Sequence, residues 1–221
     1  MTPSIKTAVV AVTLAALLAA CSTPARRPPV ARKAAEPVPV ATPAPILAPP
    51  ANGKPPADER FRNALGLMED HRPQEAQAAL QSLLKDYPDL SGPLTDAGIL
   101  YAHAKQRDKA LAHFQRAIKA NPANIVALNW SGALYREAGD HGRAEKAWLQ
   151  ALAVKPDYPA AALNLAILYD VSMHRPAEAL QYYRRYQELI GREDLIVTAW
   201  VRELEGRPAQ LASAAGDGAA R

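Results

Sequence analysis

From residue 57 onward, apolar residues recur along the chain at the spacing of amphipathic helices. In the last of these predicted helices, residues 193–205, one face carries Leu195, Ile196, Ala199, Trp200 and Leu204. The segments before it are organised as helices joined in pairs by short turns. The pattern therefore predicts an all-α domain over residues 57–206, with about four helix pairs and a C-terminal capping helix.

Four sets of residues repeat in this region at a spacing of 34 residues. Each set is one residue type at one place in a helix pair. The sets are Pro88, Pro122 and Pro156; Ala76, Ala110 and Ala144; Gly98 and Gly132; and Tyr101, Tyr135 and Tyr169. They indicate a repeated two-helix unit, which buries its apolar face only by stacking on its neighbours into a solenoid.

The repeated residues have separate physical roles. The glycines allow the paired helix to approach closely, and the prolines end the second helix of each pair. A bulky residue four positions after the repeated alanine is expected to pack into the next unit. These bulky residues are Leu80, Phe114, Trp148 and Tyr183.

Two units carry the pattern most clearly, SGPLTDAGILYAHAKQRDKALAHFQRAIKANPAN and IVALNWSGALYREAGDHGRAEKAWLQALAVKPDY. Their length and residue pattern resemble the tetratricopeptide repeat, a helix-turn-helix unit of 34 residues. The resemblance implies a tetratricopeptide-type α-solenoid with units at about 57–90, 91–124, 125–158 and 159–191 and a capping helix at 193–205.

Two units depart from the family pattern. The first has Arg60 and Asn63 where the family prefers apolar residues, which is typical of a terminal unit. The fourth gains one residue in its turn, around 172–175, and has Tyr186 and Gly191 where the family has Ala and Pro. We therefore expect a distorted last helix pair.

The first 21 residues have the features of an export signal. A start with a single Lys is followed by ten apolar residues, which are too few for a permanent transmembrane helix. The ending Leu18-Ala19-Ala20-Cys21 resembles the lipobox of bacterial lipoproteins, which implies a signal peptide at 1–20 and a lipid anchor on the cysteine. An ordinary export signal followed by a chance cysteine is the alternative.

Cys21 is the only cysteine, so the chain forms no internal disulfide. Acylation would remove its reactive thiol, and several acyl chains give stable membrane anchoring. Ser22 follows in place of the Asp that holds enterobacterial lipoproteins at the inner membrane. The resemblance therefore implies an outer-membrane protein that faces the periplasm, with the inner membrane as the alternative.

Residues 21–56 are predicted to form an extended tether. They contain 11 of the 20 prolines, which exclude a helix and favour polyproline II. At ~3.1 Å per residue the segment spans up to ~100 Å. Its basic cluster either binds an anionic membrane surface or keeps the linker solvated, and a PxxP ligand is a third interpretation. Residues 207–221 are predicted to be a disordered tail.

Charge divides the chain at the same boundary. Residues 1–56 contain six Lys or Arg residues and one acidic residue, a net charge of +5. Residues 57–221 contain 20 Lys or Arg residues and 21 acidic residues, a net charge of −1. A nucleic-acid-binding domain concentrates positive charge on its folded surface. No nucleic-acid partner is therefore predicted.

Motifs for catalysis and for metal binding are missing from the sequence. The chain lacks HExxH, G-x-S-x-G and a Gly-rich phosphate loop, and its five histidines are scattered. The sequence therefore predicts a protein that is not an enzyme and that holds no metal or cofactor.

The family resemblance implies that the first helix of each unit lines a concave groove for peptides or partner helices. Carried over position by position, the groove consists of Phe61, Leu65, Met68, Thr95, Asp96, Ile99, His103, Asn129, Trp130, Ala133, Arg136, Asn164, Ile167 and Asp170. Asn164 matches a residue that bonds the backbone of bound peptides in many family members. Trp130 is either an interface hot spot or a residue that packs between units. The Lys/Asn pattern that clamps a terminal carboxylate in chaperone-binding relatives is missing.

These features predict a membrane-anchored periplasmic scaffold with a protein partner in the cell envelope. Anchored repeat lipoproteins of this layout resemble pilotins and accessory factors of pili and secretins, which implies a role in pilus or secretin assembly. The alternatives are an adaptor for peptidoglycan enzymes and an accessory of an energised TolQ/ExbB-type complex. The sequence leaves the oligomeric state open.

Overall fold

The structure is a computed structural model that describes residues 55–206. The predicted signal peptide at 1–20, the predicted lipidation site Cys21, most of the predicted linker and the predicted tail at 207–221 lie outside the described residues. Within the described range, every helix is too short or too polar to cross a membrane.

Every regular element in residues 55–206 is helical. Neighbouring helices pack in four pairs, each pair contacts the next, and a ninth helix packs on the last pair. The prediction of an all-α repeat of four helix pairs and a C-terminal helix is confirmed for these residues. The helices are α1 (Ala57–Glu69), α2 (Pro73–Asp86), α3 (Ser91–His103), α4 (Arg107–Ala120), α5 (Ile125–Glu137), α6 (His141–Val154), α7 (Pro159–Ile167) with a π-helical turn at Leu168–Ser172, α8 (Pro176–Ile190) and α9 (Leu195–Glu205).

Two glycines set the distance between the helices of the second and third pairs. A Cβ on Gly98 would lie 2.6 Å from Cε1 of Phe114, and one on Gly132 would lie 2.5 Å from Cε2 of Trp148. Carbon atoms do not approach so closely, so each ring fills the space that a side chain on the first helix would need. The predicted role of these glycines is confirmed.

The bulky residues of the second helices pack only partly as predicted. The sequence predicts that Phe114 and Trp148 pack into the following unit, but both lie against the glycine of their own unit. Two of the bulky residues, Phe114 and Tyr183, also contact the helix that follows their own. The rings of Phe114 and Trp130 are 6.2 Å apart, and those of Tyr183 and Trp200 are 5.5 Å apart. Phe114 therefore joins the two helices of its own unit and also contacts the next unit.

The turns inside the helix pairs share one residue with a left-handed backbone. Its φ is 57° at His71, 59° at Lys105, 78° at Gly139 and 53° at His174. In the first three turns, the following amide donates to the carbonyl five residues back at 2.9 Å. This arrangement ends the first helix and reverses the chain.

The extra residue of the fourth unit lies in the π-helical turn. The amide of Arg175 donates to the carbonyl of Tyr169, six residues back, at 2.7 Å. The sequence predicts the extra residue in the loop around 172–175, but the chain absorbs it over Leu168–Ser172. A π-helical turn accommodates one added residue without breaking the helix. The distortion of the last pair therefore lies at the end of α7.

Helix α9 packs on α8 through a different face from the predicted one. The prediction places Leu195, Ile196 and Ala199 on the packing face, yet all three are exposed, Leu195 to 73%. Trp200 and Leu204 belong to both candidate faces of α9. The spacing of apolar residues therefore did not show which of the two faces packs on α8. The buried residues of α9 are Val197, Trp200, Val201 and Leu204.

Charged residues stabilise both ends of the repeat. Near the N-terminal end, Arg60 donates to Oδ2 of Asp86 at 2.7 Å and to Oγ of Ser82 at 3.1 Å. An arginine at a position where apolar residues are expected therefore links α1 to α2. Near the other end, Oδ1 of Asp194 accepts hydrogen bonds from two amides in the first turn of α9, at 3.1 and 3.2 Å. Asp194 therefore caps the start of α9.

Candidate functional site

The first helices of the second, third and fourth units form the candidate binding surface. Helix α3 contacts α5, and α5 contacts α7, so the three helices lie side by side. Residues 34 positions apart occupy the same place on each helix, and Asp96, Trp130 and Asn164 form one such row. A polypeptide that crosses the three helices would therefore meet one side chain of this row on each.

Most of the predicted groove residues are accessible at this surface. In α1, Phe61, Leu65 and Met68 are half-buried. In the other three units, the predicted groove residues that are half-buried or exposed form a set that we call the first-helix face. It consists of Asp96, Ile99, His103, Asn129, Trp130, Ala133, Arg136, Asn164 and Asp170.

Two predicted groove residues, Thr95 and Ile167, are buried, with 5% and 3% of their surface exposed. Oγ1 of Thr95 donates to the carbonyl of Ser91 and accepts from Nδ2 of Asn124, both at 2.8 Å. Asn124 in turn caps α5 by accepting from the amide of Ala127 at 2.9 Å. Thr95 thus fixes the start of the third unit against the second. Both residues are packing residues, which corrects the prediction.

Trp130 lies between the second and third units. Its ring stacks on Phe114 at 6.2 Å and meets the edge of the His103 ring at 5.6 Å. The side chain is half-buried against the apolar core. Burial, together with nearby Lys105, lowers the pKa of the His103 imidazole and favours its neutral form. Trp130 therefore does pack between units, and its exposed part remains available on the first-helix face.

A chain of hydrogen bonds links the two asparagines of the first-helix face to a buried tryptophan. Nε1 of Trp148 donates to Oδ1 of Asn129 at 3.1 Å, and Nδ2 of Asn164 donates to the same oxygen at 2.9 Å. Asn164 is held in place by one amide hydrogen. Its second amide hydrogen and its carbonyl oxygen have no partner in residues 55–206, so both a donor and an acceptor remain for a peptide backbone.

Two charged residues of the first-helix face form no ion pair within residues 55–206. Asp96 forms no hydrogen bond or ion pair with a described residue, and burial raises the pKa of its carboxyl to about 6. Arg136 lies over the ring of Trp148, 5.8 Å from its centroid. Its Nη1 atom is buried with no hydrogen-bond partner among the described residues, and burial lowers the pKa of its guanidinium. Charges in such surroundings are costly until they are paired.

Asp170 forms a hydrogen bond with a residue for which the sequence predicted only apolar packing against the next unit. The hydroxyl of Tyr183 donates to Oδ2 of Asp170 at 3.2 Å. Tyr183 is buried, and burial raises the pKa of its phenol. Because Asp170 lies in the π-helical turn, its position depends on the extra residue of the fourth unit. The bulky-residue pattern identified Tyr183, but it gave no sign of this polar contact.

The first-helix face has the groups needed to bind a polypeptide. It offers an aromatic ring, an unsatisfied amide and two opposite charges on neighbouring helices. Within residues 55–206, no three His, Cys, Asp or Glu side chains lie close enough together to hold a metal ion.

Known proteins match the chain at the level of family and fold. A family model of the tetratricopeptide repeat matches residues 61–125 and 131–192, which together are more than half of the chain. No curated protein sequence matches it.

Three solved structures illustrate the shared fold. MamA (41-end) from Desulfovibrio magneticus RS-1 is 18% identical with a TM-score of 0.61, and the match covers 72% of this chain and 89% of that one. Pseudomonas aeruginosa pilF is 18% identical with a TM-score of 0.61, covering 72% of each chain. A tetratricopeptide repeat protein from Parabacteroides merdae is 22% identical with a TM-score of 0.58, covering 73% of this chain and 62% of its own.

The family match, the residues repeated every 34 positions and the four packed helix pairs all agree. Such repeats serve as scaffolds for protein–protein interaction. The chain belongs to the tetratricopeptide repeat family.

Proposed function

We propose that the chain is an envelope adaptor whose first-helix face binds an extended segment of a partner protein. The observation that carries this proposal is the row of Asp96, Trp130 and Asn164, which repeats in register on three adjacent helices. Each of the three is partly exposed. A crossing polypeptide would be contacted at regular intervals by a charge, a ring and an amide. The proposed role is binding, without a reaction of its own.

Trp130 is the proposed anchor of the interaction. Phe114 and His103 both contact its ring, so little conformational freedom is lost when a partner covers it. Large aromatic residues at the centre of an interface are common hot spots. Asn164, one helix further on, supplies the hydrogen bonds that fix the backbone of the bound segment.

The location in the envelope is proposed from the N-terminal sequence. The apolar leader and Cys21 support a lipid anchor, and the proline-rich tether supports a binding domain that works at a distance from the membrane. Assembly of a pilus or secretin is our first proposal, supported by the fold shared with the pilus-related pilF. An adaptor for peptidoglycan enzymes and an accessory of a TolQ/ExbB-type complex are the alternatives.

The anchor is tested with Cys21→Ser in cells. We expect the protein to move from the membrane fraction to the soluble fraction, because no acyl chain can then be attached. Retention of the variant in the membrane fraction would show that another element anchors the protein. Ser22→Ala serves as the matched control and should leave the protein on the membrane.

The binding surface is tested by capture of the partner with the full chain. Trp130→Ala should abolish capture, because it removes the anchoring ring, and Asn164→Ala should weaken it. Leu149→Ala is the matched control, since Leu149 is exposed on the second helix of the same unit as Trp130. Capture by Trp130→Ala equal to that by the unchanged protein would contradict the proposed surface.

A further inference from the structure

Asp96 and Arg136 carry opposite charges, and neither forms an ion pair with another residue in the range 55–206. The nearest acid along the chain from Arg136 is Glu137, which forms its ion pair with Arg107 at 3.9 Å and acts on Arg136 only as a nearby charge that favours its protonated form. Arg62 occupies the position of Asp96 one unit earlier, and it pairs with Asp58 at 3.2 Å. The ion pairs of these neighbouring residues are made elsewhere, so both charges remain available to a ligand.

Their surroundings make a ligand charge favourable at both places. Both side chains are partly buried, and the Nη1 atom of Arg136 is covered by protein with no hydrogen-bond partner in residues 55–206, so a ligand would contact the accessible part of the guanidinium. An ion pair formed in such a site gains more than one formed in open water, because the local dielectric constant is lower. The charge has already lost part of its hydration on folding, so binding adds less desolvation cost.

The helix geometry gives the approximate distance between the backbone positions of Asp96 and Arg136. Asp96 and Trp130 have the same place on adjacent helices, and Arg136 follows Trp130 by six residues, ~9 Å along the helix axis. The axes of contacting helices are about 8–10 Å apart. The backbone positions of the two residues are therefore ~13 Å apart, a distance that an extended chain covers in about four residues.

We infer that the first-helix face selects an extended segment carrying one basic and one acidic residue about four positions apart. The basic side chain pairs with Asp96 and the acidic one with Arg136. The residues of the segment between these two charges pass over Trp130, and an apolar side chain among them contacts its ring. This inference rests on the proposed function, because it names the chemistry of the segment that the same surface binds.

The test uses synthetic peptides that are blocked at both ends, so that their termini carry no charge. Each has a background of alanine and serine, one leucine, one lysine and one glutamate, with the two charges separated by two to eight positions in either order. Binding to the purified full chain is measured by fluorescence anisotropy. We expect the tightest binding at a separation of about four in one of the two orders, about tenfold tighter than a peptide with both charges replaced by serine.

Charge variants assign each end of the peptide. Asp96→Asn should remove only the preference for lysine in the peptide. Arg136→Gln should remove only the preference for glutamate. Arg136→Lys should retain part of the preference for glutamate, because it keeps the positive charge in the same place. The double variant Asp96→Arg, Arg136→Glu should reverse the preferred order of the two charges. Asp108→Asn and Arg192→Gln are controls with exposed charges and should change nothing.

Two outcomes would overturn the inference and are distinguishable. If the peptides bind, lose affinity with Trp130→Ala and show no dependence on charge or spacing, the charge selection is wrong and the binding surface stands. If partner capture also persists in Trp130→Ala, the proposed function fails together with the inference. Circular dichroism of each variant separates lost binding from lost folding.

Discussion

Asp96 illustrates how one residue of the first-helix face can cost stability. It lies partly buried on α3, and no described residue donates a hydrogen bond to it or pairs with it. Burial disfavours the charged carboxylate and raises its pKa from an ordinary 3.8 to about 6. Between these values the folded protein keeps a proton that the unfolded chain has lost. The stability that this group contributes is therefore complete below pH 3.8 and is lost as the pH rises through 6.

Asp96→Asn should therefore stabilise the protein near neutral pH. We expect the free energy of unfolding to rise by about 1–2 kcal/mol, because the amide carries no charge to desolvate. The gain should disappear at low pH, where the native carboxyl is protonated. Urea denaturation at a series of pH values measures both effects. Asp108→Asn, at an exposed position, is the control, and an equal pH dependence of the two variants would contradict the assignment.

Sequence patterns were least successful in predicting which individual side chains are buried. Helices α3 and α7 are covered by neighbours on several sides, so their apolar residues extend almost all round. Helical periodicity then does not separate Thr95, which is buried, from Asp96, which is partly exposed. The same limitation applies to Ile167. Burial at such positions is decided by contacts with other elements, such as the hydrogen bond to Thr95 from Asn124, which caps α5.

At the scale of single elements, the small residues of the first helices determine how closely the pairs pack. Gly98 and Gly132 face an aromatic ring at distances that exclude a Cβ. This role was predictable, because the glycines recur at the repeat spacing together with a bulky partner. The π-helical turn was only partly predictable. The count of residues reveals one extra position, but the hydrogen bond from Arg175 to Tyr169 decides where the chain absorbs it.

Gly132→Ala tests this packing directly. The added methyl group would collide with the Trp148 ring, and we expect a loss of about 2–3 kcal/mol in the free energy of unfolding. Gly66→Ala is the matched control, because Gly66 is also in a first helix but has no atom near its missing Cβ. It should gain about 0.5–1 kcal/mol from helix propensity. Chemical denaturation measures both, and an unchanged stability of Gly132→Ala would contradict the close approach.

At the scale of the whole molecule, the repeat period predicted the architecture of the described residues before any contact was known. Four rows of residues at one spacing require the same contacts in each unit, so helix number and pairing followed from the sequence. The terminal helix was predicted less well, because α9 lacks a following partner and its apolar residues form two overlapping faces. The repeat spacing does not identify the partner protein, because the residues that repeat are those that stabilise the fold.

The central claim is that the first-helix face binds the partner through Trp130. The most direct test is the affinity of the captured partner for the full chain and for Trp130→Ala, measured side by side with Leu149→Ala. We expect Trp130→Ala to weaken binding by about 2 kcal/mol or more, on the order of thirtyfold, and Leu149→Ala to leave it unchanged. Equal affinity of the unchanged protein and Trp130→Ala, or a larger loss with Leu149→Ala, would contradict the claim.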